Sequence, residues 1–148
     1  MKISTKGIYA IEAMLDLAMH SKSGVESLKS IAERRDISDK YLEQIIGALR
    51  KAELVTSIRG AGGGYQLAKP AKEITVLEIL QSVESNLIPM ECIENKEVCS
   101  INSETCALRE FWKKLWDEIQ GIAINVTLKD LMDENENYIK SGAIEYFI

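Results

Sequence analysis

Three features of the sequence point to one fold class. Apolar residues recur at three-and-four spacing in several separate stretches, the pattern of amphipathic helices. Two short β-type runs flank a glycine-rich tip in the middle of the chain. A long helical stretch carrying both tryptophans follows near the C-terminus. The order helix, helix, turn, helix, hairpin, helix predicts a mainly α protein: a winged helix-turn-helix with a small β-hairpin wing and a long C-terminal dimerisation helix. The expected division is 1–85 for the winged unit, 86–105 for a loop, and 106–148 for the dimerisation helix and tail.

Each element has a local reason. Residues 5 to 22 form an amphipathic helix with Ile8, Ile11, Met14, Leu15 and Ala18 on one side, and Gly24 ends it. Ser27 caps a short helix with Leu28, Ile31 and Ala32 inward. After the Asp36-Ile37 turn, Ser38 caps a longer helix to about Ala52, with Tyr41, Leu42, Ile45, Ile46 and Leu49 inward. The β-type runs are Leu54 to Ile58 and Tyr65 to Leu67, joined by Arg59-Gly60-Ala61-Gly62-Gly63-Gly64. Pro70 closes the hairpin unit. Thr75 and Glu78 form a capping box, and Ile74 can staple onto Ile79, starting a helix that runs to about Ser85. Residues 86 to 105 lack periodicity. A helix begins at Cys106 and runs to Gly121 or Asn125, and Thr127 caps a short final helix to about Glu134. The last residues, Ala143 to Ile148, are apolar for a chain end.

Composition removes several functions. No apolar run approaches the roughly 18 residues a membrane helix needs. Glu12 and Asp16 interrupt any apolar leader, so a cytoplasmic protein without a membrane role is expected. The three cysteines are an odd number, which excludes a closed disulfide framework. With one histidine, His20, at a helix end and no Gly-x-Ser-x-Gly turn, no nucleophile–base pair supports an enzyme.

The net charge of -5 argues against a nucleic-acid partner until it is divided along the chain. Residues 1 to 70 hold 11 Lys/Arg and 8 Asp/Glu, whereas residues 71 to 148 hold 7 and 15. The basic excess lies in the half with the helix-turn-helix pattern. In the helix from Ser38, Lys40, Glu43, Gln44, Gly47 and Lys51 share the face opposite the core. Such a face can enter a major groove, where glutamine bonds adenine and glutamate accepts from cytosine. The tip between the strands lacks the Gly-Lys-Ser/Thr of a phosphate-cradling loop, and Tyr65 stands where a dinucleotide fingerprint needs glycine. A DNA wing fits it better, with Arg59 entering a minor groove and Gly60, Gly62, Gly63 and Gly64 lying against the backbone.

Cys92, Cys99 and Cys106 fall within 15 residues, spaced C-x6-C-x6-C. The spacing is not that of a zinc knuckle and is wide enough to wrap something larger than one ion. Taken alone it leaves free thiols, zinc, a metal-free redox switch and an iron–sulfur cluster open. The broad apolar arc of Phe111, Trp112, Leu115, Trp116 and Ile119 suggests a helix pair across a two-fold axis.

The motifs Lys2-x-x-x-Lys6-Gly7-x-Tyr9-Ala10, Tyr41-Leu42-Glu43-Gln44 and Leu54-Val55-x-Ser57-x-Arg59-Gly60-x-Gly62-Gly63-Gly64-Tyr65 together resemble the Rrf2 family of bacterial transcription regulators, from residue 1 through at least Leu131. The resemblance implies a homodimer on palindromic double-stranded DNA, with residues 38–51 as recognition helix and 59–65, including Tyr65, as wing; Tyr41 joins the DNA-contacting set. The IscR-like branch implies that Cys92, Cys99 and Cys106 hold an iron–sulfur cluster, 2Fe-2S ahead of 4Fe-4S. Here each gap is one residue longer than in that branch's pattern, and Arg109 replaces the histidine that serves as fourth ligand three residues after the last cysteine. Glu12 from the partner's first helix is then a candidate ligand. The CymR-like branch implies an alternative: a cluster-free repressor of cysteine metabolism whose apolar tail docks a cysteine synthase.

Overall fold

The computed structural model describes residues 2–21, 24–99 and 104–145. Six helices and one hairpin follow in the expected order: α1 (Thr5–His20), α2 (Leu28–Arg35), α3 (Asp39–Lys51), β1 (Val55–Ile58), β2 (Gly64–Leu67), α4 (Val76–Val83), α5 (Ala107–Asn125) and α6 (Leu128–Glu145). Short 3-10 turns lie at Ala71–Glu73, Glu91–Ile93 and Lys96–Val98 among the described residues.

The helix starts follow from side chains that satisfy otherwise unpaired amides. Ser27 Oγ accepts from the Ser30 amide and Ser38 Oγ from the Tyr41 amide. At α4 the capping box is complete: Thr75 Oγ1 accepts from the Glu78 amide, and Glu78 accepts from the Thr75 amide at 2.9 Å. Ile74 and Ile79 are both fully buried behind it. The first helix is capped by Ser4, whose hydroxyl accepts from the Gly7 amide. Ser4 also donates twice to Glu84, from its amide at 2.9 Å and its hydroxyl at 2.6 Å, tying the start of α1 to the end of α4.

The core is shared by α1, α2, α3, α4, the base of the hairpin and α6. Met14 and Leu17 from α1 meet Ile31, Leu42, Ile45, Ile46, Leu49, Val55, Ile79 and Leu128. Burying each such side chain contributes about 1.5–3 kcal/mol. One carboxylate lies inside this shell. Asp16 is 1% exposed and receives Nε and Nη2 of Arg34 and Nε of Arg35, so α2 is anchored to α1 by charge as well as by packing.

The hairpin is antiparallel, with Val55 opposite Leu67 and Ile58 opposite Gly64. Near the tip, β2 gains a further pairing: Glu26 and Tyr65 exchange backbone hydrogen bonds at 2.9 and 2.7 Å. Arg34 reaches back to Glu26 at 2.8 Å, which connects this bridge to Asp16. A second short bridge, Thr75 with Thr127, brings the start of α4 and the end of α5 together. There the Val76 amide donates to Val126 O and the Leu128 amide to Ile74 O.

The final helix differs from expectation. It spans 18 residues rather than stopping near Glu134, and its Leu128 and Met132 enter the core of the winged unit. Past the turn at which the helix was expected to stop, Asn135 Nδ2 donates to Met19 Sδ on α1 at 3.3 Å, whereas Ile139 is exposed, so the contact with α1 carries the helix through this turn. The proposed docking tail, 144–148, lies partly outside the described residues.

Two outcomes follow from this packing. A Cβ on Gly7 would collide with the Glu84 carboxylate and with Ile3, so Gly7→Ala lowers unfolding free energy by about 1–3 kcal/mol, read by urea denaturation. Glu78 sits beside Lys69 at 2.8 Å, and that hydrogen bond, with the Thr75 cap, holds its carboxyl below the ordinary 4.5. Its stabilisation is therefore complete above pH 4.5 and drains away as pH falls through the lower folded-state value. Acid titrations of Glu78→Gln should show less pH dependence in that window than the parent chain.

Candidate nucleic-acid interface and cysteine cavity

The outer face of α3 is free. Lys40, Glu43, Gln44, Gly47 and Lys51 are all exposed, as the helical spacing required. Tyr41 is placed differently from the rest of that set: it is half-buried, and its ring meets Tyr9 edge-on at 5.9 Å. That contact commits the ring to the α1–α3 packing. Beside α3 the wing forms a groove lined by Glu43, Ile46, Gly47, Arg50 and Tyr65. Arg50 Nη1 donates to Ser57 Oγ at 3.3 Å, linking α3 to β1. Arg50 is a further member of this face, and its position three residues after Gly47 is the signal for it in the sequence.

The glycines of the wing have separate reasons. Gly60 has a φ of 115°, a region that disfavours side chains. A Cβ on Gly63 would strike Ile58 O, and one on Gly64 would lie 2.5 Å from Glu26 O. The hairpin's own backbone thus requires the first two, and the close approach of Glu26 requires the third. Gly62 has open space around it, as does Gly47 on α3. Arg59 and Gly62 are exposed at the tip, while Tyr65 is half-buried and bonded through its backbone to Glu26.

The three cysteines come together around one cavity of about 250 Å3. Cys92 comes from the 3-10 turn Glu91–Ile93, Cys99 ends the turn Lys96–Val98, and Cys106 is the N-cap residue of α5. Cys106 is buried and its side chain makes no capping hydrogen bond, which leaves the sulfur for other uses. Met90, Val98, Leu108 and Trp112 supply apolar walls. Among the described residues, no three His, Cys, Asp or Glu side chains converge closely enough to hold a single metal ion. The donors present are three soft sulfurs, the ligand type of zinc and iron–sulfur sites alike.

Arg109 also lines this cavity, on the first turn of α5. It is 8% exposed and donates from Nε to Cys92 O at 2.9 Å and from Nη2 to Ile93 O at 3.2 Å. Glu12 lies half-buried on α1 and does not line the cavity of its own chain. Along α5, Leu108, Phe111 and Ile122 stand exposed, and Trp112, Leu115 and Ile119 are half-buried on the same side. Trp116 departs from the expected interface set. It is 8% exposed because it turns toward α4 and the loop of its own chain, in a recess it shares with Gln81, Glu84 and Leu87.

Known proteins share this architecture. The Rrf2 family, described as "Iron-dependent Transcriptional regulator", matches residues 3–134. The HTH-type transcriptional regulator IscR of Photorhabdus laumondii is 40% identical over 136 residues, covering 92% of this chain and 82% of that protein. The structure of T. potens IscR superposes with a TM-score of 0.77 at 39% identity, covering 93% of this chain and 90% of that one. CymR, the global cysteine regulator of B. subtilis, gives 0.77 at 40% identity, covering 90% and 98%. These relatives are regulators of transcription rather than enzymes, and they carry the same winged fold over nearly the whole length. The chain belongs to the Rrf2 family of transcriptional regulators.

Proposed function

We propose that this regulator acts as a homodimer whose operator binding is controlled by an iron–sulfur cluster held by Cys92, Cys99 and Cys106. The observation that carries the reading is the gathering of all three thiols around one apolar-walled cavity. A 2Fe-2S cluster is favoured over 4Fe-4S. When bound, the group supplies a redox- and oxygen-sensitive centre; the protein residues shield it with Met90, Val98, Leu108 and Trp112 and hold the ligating turns. The fourth position falls to Glu12 of the partner subunit, to a loop glutamate or to an exogenous ligand, because Arg109 is occupied with backbone carbonyls and is no ordinary metal ligand.

Residues 1–85 serve as reader, 86–105 as cluster loop and 106–148 as dimerisation segment, although α6 also completes the reader's core. The exposed row of Leu108, Phe111 and Ile122, with Trp112, Leu115 and Ile119 beside it, is the surface on which a second copy packs. Trp116 supports that face from inside. A two-fold axis would present the two α3 helices to half-sites about 34 Å apart, or a multiple, in a palindrome. Among the described residues no helix is long and apolar enough to cross a membrane, and the site of action proposed is cytoplasmic.

Two bonds from Arg109 into the cysteine turn, and the likeness to CymR, favour a second reading. In it the chain is a cluster-free repressor of cysteine metabolism that pairs with a cysteine synthase through residues 144–148. Deleting those residues and measuring synthase binding tests it; an intact chain that binds no synthase removes it.

For the cluster, anaerobic purification should give visible absorption and matched iron and sulfide, and Cys99→Ala should lose both. A colourless, iron-free chain after anaerobic reconstitution would sink the assignment. For the reader, Arg59→Ala should weaken operator binding by about 1–3 kcal/mol in fluorescence titrations. Gly47→Ala should raise helix stability by up to about 1 kcal/mol while weakening the same binding. Gly62→Ala should leave stability within about 0.5 kcal/mol yet reduce operator affinity.

A further inference from the structure

The turn that presents Cys92 has little to hold it. It is built from two 3-10-type bonds, Ile93 N to Met90 O and Glu94 N to Glu91 O at 3.1 and 3.2 Å, and one α-type bond, Asn95 N to Glu91 O at 3.0 Å. Such single turns are weak on their own. Met90, Glu91, Glu94 and Asn95 are exposed and add no core to it.

Arg109 crosses from α5 into this turn. Its guanidinium has left water, and its carboxylate neighbour Glu110, at 3.5 Å, is itself 63% exposed and offers weak compensation. What replaces the lost hydration is the pair of carbonyls on Cys92 and Ile93. A buried guanidinium that loses its acceptors bears the whole desolvation cost. The cation therefore holds the two carbonyls in place as firmly as they hold it. The fork of Arg109 matches two successive carbonyls, a geometry that a lysine cannot reproduce.

We propose that Arg109 is a latch that keeps the Cys92 turn folded in the metal-free chain, at the helical position where a metal ligand would otherwise stand. It is a positioning residue: it acts on Cys92 through the backbone. The sensor loop is then pre-shaped before any metal arrives, and emptying the cavity does not unfold the turn. The latch stands on hydrogen bonds of this chain and does not require that iron be bound.

Hydrogen exchange on the full-length, reduced, chelator-treated protein tests it. In the parent chain the amides of Ile93, Glu94 and Asn95 should be protected. In Arg109→Ala they should exchange about tenfold or more faster, with the amides of α1 and α3 unchanged. Iodoacetamide labelling of Cys92 should accelerate in step, and Arg109→Lys should restore only part of the protection. Equal exchange in the parent and Arg109→Ala chains, or a parent turn already exchanging at the unfolded rate, overturns the latch. If Arg109→Ala loosens the whole chain, Arg109→Lys decides: loss confined to residues 91–99 supports the latch, and uniform or no loss overturns it. Iron and sulfide analysis of the parent chain after reconstitution tests the cluster separately. A parent that takes up no iron but shows the Arg109-dependent protection defeats the cluster and leaves the latch standing.

Discussion

A carboxylate inside an apolar core has to be paired, and Asp16 makes that requirement organise the reader. Its two oxygens take the guanidinium of Arg34 and the Nε of Arg35, which sets α2 against α1 in one register. Arg34 passes the constraint on to Glu26, and the backbone of Glu26 pairs with Tyr65 near the tip of the hairpin. A single buried charge is thus connected through two side chains and one bridge to the hairpin that flanks α3. Hydrophobic burial supplies most of the folding energy but has no direction. The charged hydrogen bonds supply the direction, because their geometry tolerates little displacement.

Besides the core contact of α6, hydrogen bonds tether the other half of the chain. The bridge between Thr75 and Thr127 closes the ends of the excursion made by α4, the cysteine loop and α5. Glu84, just before that loop, grips the first turn of α1 through Ser4. Anything that shifts the loop therefore acts on α1, the helix that also carries Asp16. Coupling between the proposed sensor and reader needs differential affinity of two states; these contacts are the covalently short and hydrogen-bonded routes by which such a difference can be expressed.

Much of this was legible in the residues because its causes are local. The caps at Ser27, Ser38 and Thr75 need only a side chain and an amide three residues away. The exposed face of α3 follows from helical periodicity, and the hairpin from two β-type runs around a glycine tip. Less legible was the extent of α6, where Leu128 and Met132 find the core only once α1 is in place. Trp116 and Phe111 lie five residues apart on the same helix, yet one is buried and the other exposed. Composition treats both as apolar anchors; only the position of α4 and the loop separates them.

The sequence by itself determined the helices, the wing, the clustering of three cysteines and the family, since each depends on spacing along the chain. Tertiary structure decided which groups meet. It brought Glu84 against Gly7, Glu26 against Gly64 and Arg109 against the carbonyls of Cys92 and Ile93. In each case the partners lie well apart in sequence, and what one requires of the other is a distance of a few ångströms that no local pattern encodes. That is why Gly64 reads as a bare tip in the sequence but serves a close backbone approach in the fold. It is also why Arg109, one more charged residue by composition, is a buried donor in space.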